Sequence, residues 1–158
     1  MNSEREARRA HAFDVAWRQL AHRDRTEAEI VRAFLKARVE PELADEVLGE
    51  LRAGGYVDDA LFARRFAEDR RRLDAWGSER IERRLRELGV AAEHVEAALG
   101  EGAHDELEAA VAVLARRFPA PPETPRERDR ALAVLVRKGY ELELAHDALR
   151  RFAGAAVD

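Results

Sequence analysis

The sequence predicts an all-α protein that consists of three tandem three-helix repeats, each of helix-turn-helix-like form. Three observations support this prediction: apolar residues recur at helical spacing, helix start and stop signals divide them into short segments, and the segments repeat. Alternation typical of a strand is nowhere persuasive. Because a unit of about 50 residues buries little surface alone, we expect neighbouring units to pack together in an elongated, curved body.

The repeat is visible in three blocks that align with one another. Each block has the pattern of a helix, a tight turn and a second helix, and one further helix precedes each block. The blocks are FLKARVEPELADEVL at 34–48, LRELGVAAEHVEAAL at 85–99 and LVRKGYELELAHDAL at 135–149. We therefore predict repeat 1 at 1–53 with a lead-in helix, repeat 2 at 54–102 and repeat 3 at 103–158.

Repeat 1 begins with a predicted helix over 12–22. Thr26 and Glu29 have the spacing of a capping box, which predicts the start of the second helix. Pro41 suits the first turn of the third helix, and Gly54-Gly55 suits its end. The predicted apolar faces of these helices consist of Phe13, Ala16, Trp17, Leu20, Ile30, Phe34, Leu35, Leu43, Val47, Leu48 and Leu51.

Repeat 2 contains two predicted helix starts and a glycine turn. Asp58 or Asp59 is expected to cap a helix over 59–73, and Ser78 is expected to cap the next one. Tyr56 and Trp76 precede these helices, and we expect both rings to pack towards the core. The turn is Gly89-Val90, and the predicted apolar positions are Leu61, Phe62, Phe66, Leu73, Ile81, Leu85, Leu88, Val95 and Leu99.

Repeat 3 follows the break at Gly100-Glu101-Gly102. Its first predicted helix covers about 105–118, and the proline-rich segment 119–125 is the linker. Thr124 and Glu127 form a second capping-box pattern, with proline at the first helical position.

Composition narrows the classes of function. The formal net charge of −4 disfavours a protein that coats DNA. Cysteine is absent from the sequence, which excludes disulfides, a thiolate nucleophile and a cysteine zinc site. No segment reaches the roughly 20 apolar residues of a membrane helix. We expect a cytoplasmic protein, without membrane contact and monomeric.

Charge alternates along each predicted repeat. The middle helices are basic and the last helices are acidic. Part of this pattern is expected from helix electrostatics, because cations stabilise helix C-termini and anions stabilise N-termini. Its recurrence in all three repeats also fits separate basic and acidic strips on the surface.

Signals for catalysis or cofactor binding are weak, so we predict no enzyme and no cofactor. The histidines lack the His-x-x-x-His spacing of a metal site and suit surface or helix-end positions; they are His11, His22, His94, His104 and His146. Asp58 and Asp59 are adjacent on a helix start and point apart, which favours capping over metal binding. Gly54-Gly55 lacks the lysine and the flanking strand of a nucleotide-binding loop.

One stretch of repeat 2 resembles a known family. The sequence GYVDDALFA at 55–63 is followed by Trp76-Gly77 and by Ile81-x-x-x-Leu85-x-x-x-Gly89-Val90. This combination resembles the RecX family of bacterial RecA regulators, and the resemblance extends from about residue 12 to 152. Leu88 stands where family members often carry a basic residue. The family-motif residues, mostly structural, are Gly55, Tyr56, Asp58, Asp59, Ala60, Phe62, Ala63, Trp76, Gly77, Ile81, Leu85 and Gly89.

The resemblance implies a non-enzymatic protein that binds in the groove of RecA filaments. Single-stranded DNA within the filament is a further candidate partner, and whether the protein contacts it stays open. Such a regulator suppresses ATP hydrolysis, strand exchange and co-protease activity in recombination, DNA repair and the SOS response. Candidate partner-binding residues are the basic side chains Lys36, Arg64, Arg65, Arg71, Arg72, Arg80, Arg83, Arg84, Arg86, Arg137 and Lys138. We expect Arg64, Arg65, Arg71 and Arg72 on or beside the solvent side of their helix.

Two other functions remain open at this point. The turn at Gly89 suits a helix-turn-helix DNA-binding protein, but the following helix presents Glu93 and Glu96 where base recognition favours Arg, Asn or Gln. A helical scaffold for another partner would use the same repeats and charge strips.

Overall fold

The computed structural model describes residues 1–101 and 105–155. Within these ranges the chain forms nine α-helices and no strand, which confirms the all-α prediction. The helices are α1 Asn2–Leu20, α2 Glu27–Lys36, α3 Pro41–Ala53, α4 Asp59–Asp74, α5 Ser78–Glu87, α6 Ala92–Gly100, α7 Glu106–Arg117, α8 Pro125–Lys138 and α9 Leu142–Ala155. Gly102 and His104, named above, lie outside the described residues.

The helices divide between two compact units. Unit 1 contains Met1–Ala63 and Leu85–His94, and unit 2 contains Arg64–Arg84 and the described residues from Val95 onward. In unit 1, α1, α2 and α3 pack on one another around Ile30 and Phe34, which are almost completely buried.

Unit 2 has its own core, in which α7, α8 and α9 pack on one another. Leu114 and Leu135 have no exposed surface there, and Tyr140 is 1% exposed. Ala110, Ala131, Ala145 and Ala148 are also fully buried, which brings the helix backbones close together.

Helix starts follow the capping signals in the sequence. Thr26 caps α2 and Thr124 caps α8, each with the reciprocal glutamate bond of a complete capping box. The two boxes differ in burial: Thr26 is fully buried and its Oγ1 donates to the Leu88 carbonyl at 2.7 Å, whereas Thr124 is exposed. A local motif therefore also serves as a tertiary contact in unit 1.

The same turn occurs at three aligned positions, immediately after α2, α5 and α8. Arg38, Gly89 and Gly139 have φ values of 59°, 83° and 99°. In each case the next amide donates back to the aligned apolar position, as Val90 does to the Leu85 carbonyl at 3.1 Å. Arg38 has a β-carbon in this left-handed region, whereas the two other positions are glycine.

Two of these turn positions are glycine because another helix lies too close to leave room for a β-carbon. A β-carbon on Gly89 would overlap that of Ala28 in α2, within unit 1. A β-carbon on Gly139 would lie 2.6 Å from the backbone nitrogen of Arg80, near the start of α5 in unit 2. Two turns therefore pack against the N-terminus of another helix, and only glycine fits both the φ angle and the space.

Several expectations for apolar side chains were wrong. Leu35 and Leu73 are 68% and 59% exposed, because each lies on the outer face near the end of its helix. Tyr56 is 59% exposed rather than part of the core; its ring packs nearly perpendicular to that of Trp17, itself 40% exposed, with centroids 4.7 Å apart.

Two helix starts also differ from the prediction. α1 begins at Asn2 instead of residue 12, and arginines in its first turns pair with α3 and its flank; the pairs are Arg5–Glu46, Arg8–Glu40 and Arg9–Glu50. α5 begins at Ser78 itself, so this serine lies in the first turn rather than before it.

We expect Gly89→Ala to destabilise the protein by about 3 kcal/mol, from left-handed strain plus overlap with Ala28. Gly55→Ala is the matched control, because Gly55 has a φ of 76° and a β-carbon added there would meet no atom within 4 Å. It should cost only about 1 kcal/mol. Urea unfolding of both variants measures the difference, and equal losses would contradict the close packing of Gly89.

Candidate interaction surface

The predicted basic candidates fall into two groups. Most of them are exposed; these are Lys36 on α2, Arg64, Arg65 and Arg72 on α4, Arg83, Arg84 and Arg86 on α5, and Arg137 on α8. Arg71, Arg80 and Lys138 are instead half-buried. Arg71 was expected on or beside the solvent side of its helix, and it lies there half-buried.

The three half-buried cations bind backbone carbonyls at helix C-termini, all within unit 2. Arg71 donates to the Leu99 carbonyl in the last turn of α6 at 3.0 Å. Arg80 donates to the carbonyl of Arg137 at 3.2 Å, and Lys138 donates to that of Asp74 at 2.8 Å. Cations at these positions stabilise the negative end of a helix dipole, so a structural role accounts for them.

Trp76 lies in a cluster of rings and guanidinium groups. Its ring centroid is 4.1 Å from the guanidinium carbon of Arg80 and 6.1 Å from the ring of Phe66. Arg70 lies over both rings, at 5.8 and 5.7 Å. These contacts leave Trp76 half-buried, so the prediction that its ring packs towards the core is met in part. The ring is therefore not a freely exposed platform on which a base could stack.

The N-terminus of α5 is occupied by other parts of unit 2. The amide of Gly77 donates to the Lys138 carbonyl at 2.8 Å, and that of Glu79 donates to the Gly139 carbonyl at 3.0 Å. The amide of Ser78 donates to Oε1 of Glu106 at 2.6 Å. Because these amides already have partners, the start of α5 does not offer them to an external phosphate.

The start of α5 and the turn at Gly139 form a junction within unit 2, and Tyr140 contacts it from the core. Its hydroxyl donates to the Ala75 carbonyl at 2.8 Å. Burial raises the pKa of Tyr140 to about 12, with a smaller contribution from Glu106. The phenol therefore stays protonated and keeps this hydrogen bond across the ordinary pH range.

The two adjacent aspartates cap two different helices. Oδ1 of Asp58 accepts from the Leu61 amide at 3.0 Å, which confirms an N-cap for α4. Oδ1 of Asp59 instead accepts from the amide of Glu27, the first residue of α2, at 2.9 Å. The second bond was not predicted, because the sequence does not indicate which helix start lies near Asp59.

The surroundings of Asp59 offset the negative charge of its carboxylate only in part. Partial burial is the main reason that its pKa lies above the ordinary carboxyl value, and the bond from the Glu27 amide opposes this increase. The carboxylates of Glu27 and Asp58 raise the pKa further, whereas His94 lowers it.

A groove of about 810 Å³ lies beside Asp59, within unit 1. We call it the α2–α4 groove. Its apolar wall includes Val31 and Leu35 of α2, which are 37% and 68% exposed, and Leu48 of α3. Asp58 and Asp59 line it from the start of α4. Leu35 was predicted to lie in the core, and no local signal in the sequence indicates this groove, because helical periodicity does not distinguish a core face from the wall of a surface groove.

The described residues contain no group of three or more His, Asp or Glu side chains arranged to hold a metal ion. Nor does any helix among them have the length and hydropathy needed to cross a membrane.

Comparison with known proteins gives matches over most of the chain. Models of the first and second three-helix domains of RecX match residues 12–51 and 58–99. The regulatory protein RecX of Deinococcus radiodurans is 34% identical over 150 residues, which cover 94% of this chain and 72% of that protein. A regulatory protein RecX of Thermus thermophilus is 36% identical over 141 residues, covering 89% and 92%.

Solved structures support the fold. A crystal structure of RecX from Lactobacillus salivarius matches with a TM-score of 0.82 at 16% identity, covering 93% of this chain and 97% of that chain. A second crystal structure, of a regulatory protein RecX, matches with a TM-score of 0.73 at 22% identity, covering 88% and 70%.

We expect Asp59→Asn to stabilise the protein at neutral pH. The folded state holds the Asp59 proton more tightly than the unfolded chain, so protonation favours folding at acidic pH, and this contribution is lost as the pH rises through the raised pKa. Asparagine keeps an acceptor for Glu27 without the charge. Thermal unfolding should show no gain below the ordinary carboxyl range and a growing gain above it; a loss at neutral pH would contradict this account.

Proposed function

Because the chain belongs to the RecX family, we propose that it is a non-enzymatic regulator that binds RecA filaments and restrains their ATP hydrolysis. The matches to both three-helix domains of RecX carry this proposal. Strand exchange and co-protease activity depend on the same filament, so we propose that they are restrained as well. The protein would act in recombination, DNA repair and the SOS response.

Several features of the chain support contact along a filament rather than at a single point. Exposed arginines occur on α4 and α5, and exposed cations also occur on α2 and α8. Each exposed ion pair contributes little, about 0.2–1 kcal/mol. Many such contacts to successive RecA subunits, with the protein seated in the helical groove as a monomer, would together give useful affinity.

The exposed arginines are better candidates for partner contact than the half-buried ones. Arg64 and Arg83 are exposed, whereas Arg71 and Arg80 already bind carbonyls at helix ends. Guanidinium groups suit bidentate contacts to carboxylates of RecA or to phosphates of the DNA within the filament. The net charge of −4 disfavours strong binding to DNA alone.

The direct test is a titration of the protein into RecA on single-stranded DNA, with ATP hydrolysis as the measurement. We expect hydrolysis to fall as the protein is added, and only weak binding when DNA is offered without RecA. Unchanged hydrolysis at a several-fold excess of protein over filament would overturn the proposal. Tight, sequence-dependent binding to duplex DNA alone would favour a DNA-binding protein instead.

Charge reversal at Arg64 and Arg83 tests the role of the exposed arginines. We expect Arg64→Glu combined with Arg83→Glu to raise the half-inhibitory concentration about tenfold, equivalent to 1.4 kcal/mol. Arg150→Glu with Arg151→Glu makes the same change of charge on exposed positions of α9 and should have little effect. Equal inhibition by both double variants would exclude Arg64 and Arg83 from the contact, provided that helicity measured by circular dichroism is unchanged.

A further inference from the structure

The α2–α4 groove of unit 1 combines exposed apolar surface with anionic edges. Leu35 and Val31 present their side chains on α2, beside the buried Leu48. Large exposed apolar side chains gathered in one concave site are typical of a binding surface, whereas scattered ones are ordinary. The groove therefore has the apolar wall that a side chain from another protein would need.

The charges around the groove are predominantly negative. Glu27 is paired with Arg52, whose Nε lies 2.5 Å from Oε1 of the glutamate. Outside this pair the lining contains Asp58, Asp59 and Glu93 as acids, Arg32 as a base, and His94. The formal charge of this lining is negative, and it thus favours a cationic partner by simple complementarity.

Asp59 is the best-placed of these carboxylates. It is held at the start of α4 by its bond to the Glu27 amide, so its position is fixed before any partner arrives. Its neighbours Glu27 and Asp58 have the same charge, which His94 and Arg52 offset only in part. An incoming ammonium or guanidinium group would relieve this repulsion and replace solvent at a half-buried carboxylate.

We propose that the α2–α4 groove receives a segment of the partner that sets an apolar side chain against Leu35 and Val31 and a Lys or Arg beside Asp59. The proposal rests on the proposed function, since it takes the partner to be a RecA subunit. The groove is anionic and apolar, whereas Arg64 and Arg83 are cationic, so the two sets of residues contact different surfaces of the filament.

Leu35→Asp is the main test, because this side chain is 68% exposed and its loss should leave the fold intact. We expect inhibition of RecA ATP hydrolysis, and co-sedimentation with RecA filaments, to weaken about tenfold, as for removal of an apolar anchor. Leu73→Asp is the matched control: another leucine, 59% exposed, on the last turn of α4 and outside the groove. It should change neither measurement by more than about twofold.

Asp59→Asn gives a second readout that a purely structural residue would not produce. We expect this variant to be more stable at neutral pH, yet to bind RecA filaments several-fold more weakly and with reduced dependence on salt. Opposite effects on stability and binding would identify the carboxylate as part of the interface.

The outcomes separate the two proposals. If the wild-type protein inhibits RecA and Leu35→Asp inhibits equally well, the groove proposal alone is overturned. Equal weakening by Leu35→Asp and Leu73→Asp would also overturn it, because the effect would then not be specific to the groove. If the wild-type protein neither binds nor inhibits RecA filaments, the proposed function is overturned, and the groove proposal with it.

Discussion

The structure depends on one recurring contact, in which a left-handed turn at the end of one helix packs against the start of another. Gly89 approaches Ala28 in unit 1, and Gly139 approaches Arg80 in unit 2. The carbonyl before each glycine accepts a hydrogen bond from the opposing helix start, from Thr26 Oγ1 in one case and from the Gly77 amide in the other. A helix end and a helix start, each with unpaired backbone groups, thereby satisfy one another.

This contact also determines which charges are available to a partner. At the junction in unit 2, Arg80 and Lys138 bind carbonyls at helix C-termini, and Glu106 binds an amide of α5. These side chains stabilise helix ends, so the charge pattern of the sequence is partly structural. Arg64 and Arg83, which are exposed, and the carboxylates of Asp58 and Asp59 at the α2–α4 groove are the charged groups that we propose for recognition.

The sequence predicts local features well, because the signals for them are local. The helix starts at Thr26, Pro41 and Thr124, and the turns at Gly54-Gly55 and Gly89, are as expected. Tertiary pairing was not predictable, because helical periodicity identifies a face but not the helix end that lies opposite. The bonds from the Glu27 amide to Asp59 and from Arg71 to the Leu99 carbonyl were missed for this reason. The exposed Leu35 shows that an apolar residue at core spacing can line a surface groove.

Native-state hydrogen exchange at the Gly77 and Glu79 amides tests the central contact most directly. Both amides lie at the start of α5, where amides of an isolated helix would exchange rapidly, and here they donate to the Lys138 and Gly139 carbonyls. Our account predicts that they exchange with free energies within about 1 kcal/mol of the most protected core amides of unit 2, because breaking the contact requires opening of its core. Rapid exchange at both positions, with protection close to that of a frayed helix end, would contradict it.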